Sequence, residues 1–128
     1  MDNPGEHLWV VHDEASKPFD LRERTFLFGR RILEIAAKLP RSPECDVIRT
    51  QMVKAGTSVG ANVEEADGAS SKRDFRNKIS IARKEAKETR FWLRLISGKY
   101  IAEDEVAADT HEAQELIRIM SSILEKTK

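Results

Sequence analysis

The feature that most limits what this chain can fold into is an apolar rhythm of alternating fours and threes, repeated four times in segments of similar length. Such spacings place side chains on one stripe of an α-helix, because the helix turns once every 3.6 residues. The first stripe is Leu21, Thr25, Phe28, Ile32, Ile35 and Leu39, and the second is Ile48, Met52, Ala55, Val59, Asn62 and Ala66. Phe75, Ile79, Ala82, Ala86, Thr89, Leu93 and Ile96 form the third, and Val106, Thr110, Ala113, Ile117, Met120 and Leu124 the fourth. Nothing alternates with period two over a useful length. Four amphipathic helices joined by connections short enough to force antiparallel neighbours predict an all-α, up-down-up-down four-helix bundle.

Capping residues mark the breaks. Asp20 reads as an N-cap with Glu23 three residues on, and Pro40 stops the first helix. Ser42 caps the second, with Pro43 at the first helical position, and Gly68 closes it. Ser71 with Asp74 opens the third, Ser97 and Gly98 end it, and the fourth begins around Asp104. A chain of 128 residues suits one compact domain, here residues 19–128. Residues 1–18 show no sustained period and read as an irregular N-terminal arm with one apolar knot, Leu8-Trp9-Val10-Val11. The single cysteine, Cys45, excludes an intramolecular disulfide, and there is neither a secretory signal pattern nor a run of about 18 apolar residues. These features predict a cytoplasmic protein outside the membrane.

Several chemistries lack their residues. The histidines His7, His12 and His111 are never three or four apart, so the Glu-x-x-His pattern of di-iron bundles is missing, and no metal site or cofactor is expected. Glu85-x-x-Glu88 and Glu112-x-x-Glu115 each share a helix face and resemble the Mg²⁺-binding pairs of all-α nucleotide pyrophosphohydrolases, but Lys84 and Lys87 flank the first pair and no Asp supplies a further ligand. Cys45 has no nearby histidine, and no glycine-rich loop is present to cradle phosphate. The chain is expected not to be an enzyme.

Two patterns are more specific. Ser58, Asn62 and Glu65 follow at spacings of four and three and form a polar face, with Asn62 on the apolar stripe, a placement that suits the fixing of register or assembly better than catalysis. Gly56 and Gly60, four apart, suit close helix packing in water. Phe26, Phe91, Trp92, Leu95, Leu116 and Ile123 fall beside or off the stripes, so self-association is expected, with Phe91, Trp92, Leu116 and Ile123 as oligomer contacts.

Phe19-Asp-Leu-Arg-Glu-Arg-Thr25, Ser58-Val-Gly-Ala-Asn62-Val-Glu-Glu65, Ser71-Lys-Arg-Asp-Phe75 and Ile81-Ala-Arg-Lys-Glu85-Ala-Lys-Glu88-Thr-Arg-Phe-Trp92-Leu carry a resemblance covering about residues 19–125. Together these blocks resemble the bacterial four-helix-bundle proteins first noticed in intervening sequences of large-subunit ribosomal RNA genes. The family typically has Asn-Ile-Ala-Glu-Gly where this chain has Asn62-Val-Glu-Glu-Ala66, which marks a variant branch. The resemblance implies an antiparallel bundle assembled as a homopentameric ring, without established catalysis. A related protein assists the reverse transcriptase of diversity-generating retroelements, so RNA or a reverse-transcriptase-like protein is the implied partner.

Charge tests that implication. The chain holds 22 Lys+Arg and 22 Asp+Glu, but the zero is a cancellation. Residues 72–94 contain nine basic and three acidic side chains, whereas residues 103–115 contain six acids and no Lys or Arg. Arg73, Arg76, Arg83, Lys87, Arg90 and Arg94 form a candidate phosphate-facing strip, provided the acidic fourth helix does not neutralise it. The expectation is an oligomeric scaffold or accessory protein that binds RNA or an RNA–protein complex through the third helix. A protein–protein assembly module without nucleic acid is the alternative, and a Mg²⁺-dependent pyrophosphohydrolase is a more distant one.

Overall fold

The computed structural model describes residues 10–12 and 18–128, and it is all-α apart from one three-residue pairing. Four helices follow one another: α1 (Leu21–Ala37), α2 (Pro43–Asp67), α3 (Lys72–Ile96) and α4 (Glu103–Lys126). Ahead of them β1 (Val10–His12) pairs antiparallel with β2 (Pro18–Asp20), Val10 opposite Asp20. The arm therefore contains a short ladder where an irregular segment was expected. Leu8 and Trp9 of the apolar knot, together with His7, lie outside the described residues.

Local chemistry sets most boundaries. The Asp20 carboxylate accepts the Arg22 amide hydrogen at 2.8 Å, Ser42 Oγ that of Cys45 at 3.2 Å, and Ser71 Oγ that of Asp74 at 3.0 Å. Each satisfies an amide that the first helical turn leaves open. Helix α4 has no side-chain cap at Ala102; Glu103, Asp104 and Glu105 in its first turn offset the positive end of its dipole instead. Gly98 carries φ +74° in the α3–α4 connection, a conformation that a side chain would strain, and its amide donates to the Ile101 carbonyl at 2.7 Å.

The third stripe is buried as the rhythm predicts, and so is the first. Helix α4 turns further than its rhythm suggests: Asp109, Leu116, Ile119 and Ile123 are buried, while Thr110 and Ile117 are only half-buried. The reason is that α4 packs on α1 as well as on α3, which widens its covered arc towards α1. In α2, Val63 and not Asn62 lies on the buried stripe. Asn62 is half-buried, and its amide group donates to the Ser58 carbonyl of its own helix at 2.9 Å.

The glycines hold α1 and α2 close together. A Cβ on Gly56 would stand 2.7 Å from Ile32 Cγ2, and one on Gly60 would stand 3.1 Å from the Thr25 carbonyl oxygen. Arg22 at the start of α1 reaches Asp67 at the end of α2, and Arg76 near the start of α3 reaches Leu124 and Thr127 near the end of α4. The buried hydroxyls of Thr25, Thr89 and Thr127 donate to carbonyls one turn back, so none of the three lacks a partner. Cys45 is a buried free thiol.

Candidate nucleic-acid interface

Helix α3 puts its charges to one side. At 100° per residue, Arg76, Arg83, Lys87, Arg90 and Arg94, spaced seven, four, three and four apart, fall on one stripe roughly a right angle from the buried line through Phe75, Ile79, Ala86 and Leu93. Arg73 stands beside this stripe and not on it. The stripe borders α4. Arg76 Nη1 donates to the Leu124 carbonyl and, at 2.8 Å, to Thr127 Oγ1, placing a cation where the C-terminal carbonyls of α4 concentrate negative charge. Arg83 Nη1 donates to Ser121 Oγ at 3.2 Å. Between the start of α3 and the end of α4 lies an open polar depression of about 790 Å³ lined by Arg73, Arg76, Arg83 and Ser121 and also by the carboxylates Asp74 and Glu125.

The acids of α4 face elsewhere. Glu112 takes a two-pronged contact from Arg24 of α1, Nε to Oε2 at 2.6 Å and Nη2 to Oε1 at 2.7 Å. Asp109 Oδ1 accepts from Arg31 Nε at 2.9 Å, and Arg31 Nη2 donates to the Glu105 carbonyl at 3.1 Å. The hydrogen bond to Asp109, followed by one to Glu34, holds the Arg31 guanidinium protonated beyond its ordinary range. Glu115 is bound by Arg118 of its own helix, whose hydrogen bond holds the carboxyl below the usual glutamate range. Of the six acids in this run, Asp109 and Glu112 are thus paired on the α1 side and Glu115 within α4, and among the described residues none pairs with α3. Among the described residues, Arg73, Arg83, Lys84, Lys87, Arg90 and Arg94 form no ion pair.

Sequence reasoning weighed α4 acids only against α3 and missed Arg24 and Arg31. Their seven-residue spacing sets both on one face of α1, and Asp109 and Glu112, three apart, share a face of α4; that pair of matching faces is the signal in the sequence.

The apolar candidates divide. Phe91 is 53% exposed and Leu95 47%, both on the outer side of α3 next to the basic stripe. Trp92 is half-buried against the core, meets Phe91 edge-on at 5.1 Å between ring centres, and donates its Nε1 hydrogen to Glu88 at 3.2 Å. Leu116 and Ile123, expected at an oligomer contact, lie instead inside the core of the same chain because α4 is rotated towards α1. Phe26, Leu27, Leu33 and Val47 are the further large apolar residues on the surface. The Ser58, Asn62 and Glu65 face lies towards α3: Ser58 and Asn62 bond within α2, and Glu65 meets Lys78 of α3 at 3.2 Å.

The carboxylate pairs considered for Mg²⁺ do not converge. Glu112 is held by Arg24, Glu115 by Arg118, and Glu88 by Trp92. Among the described residues no three His, Cys, Asp or Glu side chains come together in an arrangement that could hold a metal ion, and no helix is long and apolar enough to cross a membrane.

These features define an all-α, four-helix protein with a basic strip on its third helix. Residues 17–122 match the family described as 23S rRNA-intervening sequence protein, and the chain belongs to that family. A crystal structure of a protein of unknown function from the S23 ribosomal protein family of Bacteroides thetaiotaomicron VPI-5482 is similar to it. That likeness has a TM-score of 0.75 and 34% sequence identity, and covers 81% of this chain and 97% of the other. No curated protein matches the chain.

Proposed function

We propose that this protein is a non-enzymatic scaffold or accessory protein of the cytoplasm that self-associates and binds RNA, alone or in an RNA–protein complex, along α3. The observation that carries this reading is the basic stripe at Arg83, Lys87, Arg90 and Arg94, left without ion pairs among the described residues while Glu112 and Asp109 of α4 engage Arg24 and Arg31. A solvated cationic strip gains affinity for phosphates by releasing their counterions. The contacts of Arg22 with Asp67 and of Arg76 with Leu124 support an up-down-up-down order, since each brings the start of one helix to the end of the next. Phe91 and Leu95 beside the stripe support self-association, for which a pentameric ring is the proposed form; a ring would repeat the strip and add avidity.

A salt titration of binding to structured RNA tests the reading. Four phosphate contacts per subunit give a log–log slope of about −3 to −4. Substituting Arg83→Glu together with Arg90→Glu is expected to weaken binding and reduce that slope by about 2. No detectable binding at about 50 mM salt overturns the nucleic-acid reading. A second reading rests on the exposed Phe91 and Leu95: the strip docks on a neighbouring subunit. In that case the same reversals lower the oligomer mass in light scattering.

A further inference from the structure

Two exposed apolar features of this chain match one another. The first is a groove of about 270 Å³ between α1 and α2, lined by the small residues Gly29, Thr57, Gly60 and Ala61. Gly60 lies so near α1 that an added Cβ would stand 3.1 Å from the Thr25 carbonyl oxygen. Phe26 and Leu33, 55% and 48% exposed, form the α1 wall, and the Arg30 guanidinium leans over the Phe26 ring at 6.0 Å. Towards the start of α1 an adjoining depression sets the carboxylates of Asp20, Glu23 and Glu64 around Arg22, which already bonds to Asp20 and Asp67. That end of the groove is therefore acidic.

The second feature is a ridge on α3. Lys84, Phe91 and Leu95, spaced seven and four apart, point directly away from the buried line of that helix, about a quarter-turn beyond Arg83 and Arg90. Trp92 meets the Phe91 ring edge-on, and Lys84 is exposed and forms no ion pair among the described residues. If Phe91 is set against Phe26 with α3 parallel to α1, Leu95 lies about 6 Å along the axis, between Phe26 and Leu33, and Lys84 lies about 10 Å the other way. Asp20 stands about 9 Å from Phe26 in that direction, with Glu23 about halfway, so the lysine reaches the acidic end. Charge selects the direction, because the reverse orientation carries Lys84 towards Arg30 and Leu33. Resting on the self-association proposed above, we propose that the ridge of Lys84, Phe91 and Leu95 of one copy seats in the α1–α2 groove of the next. Ridge and groove are different surfaces, so the contact is heterologous, and each copy keeps one of them for a further neighbour. Arg83 and Arg90 stay outside it, which leaves the strip open to RNA.

Sedimentation of the full chain tests the contact with two variants at exposed helical positions. Phe91→Gln with Leu95→Gln removes the ridge, and Ala61→Arg fills the groove, all with good helix formers. Each variant alone is expected to run as a single chain of 14.6 kDa with unchanged circular dichroism. An equal mixture of the two is expected to form a species of two chains and nothing larger, since one intact ridge then faces one intact groove. Lys84→Glu is expected to weaken association of the otherwise unaltered chain, by a factor that shrinks as salt is raised. A wild-type chain that is monomeric overturns self-association itself. A wild-type oligomer whose mass survives Ala61→Arg overturns this contact alone, as does a mixture in which the two variants stay apart. Loss of mass on reversing Arg83 and Arg90 overturns it too, because it places the strip inside the interface.

Discussion

The pair Arg31–Asp109 separates two ways in which α4 can be fastened to α1. Asp109 is 6% exposed; its Oδ1 accepts from Arg31, and its Oδ2 is buried with no hydrogen-bond partner among the described residues. Arg31 is far better provided for, being partly solvated and bonded also to Glu34 and to the Glu105 carbonyl. The two partners are therefore unequal. Replacing Arg31 with Met keeps the apolar stem but strands a buried carboxylate, a loss of 3–5 kcal/mol in a deep site and about 2–3 kcal/mol at this partly solvated edge. Replacing Asp109 with Ala removes the buried charge and improves helix propensity, leaving a net cost of about 0–1 kcal/mol. For a chain of this length, about 2–3 kcal/mol corresponds to a fall in Tm of roughly 8–11 °C. Urea and thermal unfolding followed by circular dichroism measure all three variants, and the double variant is expected to resemble Asp109→Ala alone. Equal costs for the two single variants, or a double variant that sums them, would refute the claim that burial of one partner governs the pair.

Gly56→Ala is expected to destabilise by about 1–2 kcal/mol in the same assay, because its Cβ meets the fully buried Ile32 at 2.7–2.9 Å and overpacking outweighs the helix-propensity gain. Gly29→Ala, whose Cβ meets only ordinary contacts at 3.7 Å, is expected to stabilise by up to about 1 kcal/mol. Glu115 contributes to the pH dependence. Its carboxyl is held low, chiefly by Arg118, so its contribution is fully present above the unfolded glutamate value of about 4.3 and is lost as the pH falls through the lower folded value. Because Arg118 is largely exposed, Glu115→Gln should remove only about 0.3–0.5 kcal/mol of that acid sensitivity, read from urea midpoints at about pH 6 and pH 3.

What the amino-acid order discloses is what local forces decide. The caps at Asp20, Ser42 and Ser71 and the stops at Pro40 and Gly68 depend on a few adjacent residues, and each lies where its chemistry suggests. The stripe of α3 is legible because every member of its four-three series, from Phe75 to Ile96, is buried, while Phe91 and Leu95 fall off that line and stay exposed. Helix α4 is harder to read, since Leu116 and Ile123 look surplus to a one-sided stripe and become core only when a second neighbour, α1, is known. The rhythm of α2 leaves a similar ambiguity between Asn62 and Val63. Val63 fits a four-three spacing from Val59 equally well, and packing decides between them. The basic strip was visible in the counts, but whether it stays unpaired depends on which helix receives the α4 acids, a tertiary fact that residue counts do not contain.

Net charge of zero therefore says little about partners, and the spacing of the helices explains why. Exposed charges farther apart than the Debye length, about 8 Å at physiological salt, scarcely influence each other, while packed helix axes stand about 8–10 Å apart. A phosphate approaching Lys87 or Arg90 thus responds to the strip and to the nearby edge of α4, where Ser121, Gln114 and Thr110 are uncharged, and not to the carboxylates on the far side of the molecule. Carboxylates already bonded to Arg24 and Arg31 are weaker still at a distance, since each pair presents little net charge. Carboxylates stand near both ends of the strip: Glu103 lines the depression of about 460 Å³ beside Arg94, and Asp74 and Glu125 line the one beside Arg83. Lys87 and Arg90 line neither depression, so the attraction is strongest between the two ends, and within the Arg83 and Arg90 reversal it is the change at Arg90 that strikes the centre of the strip.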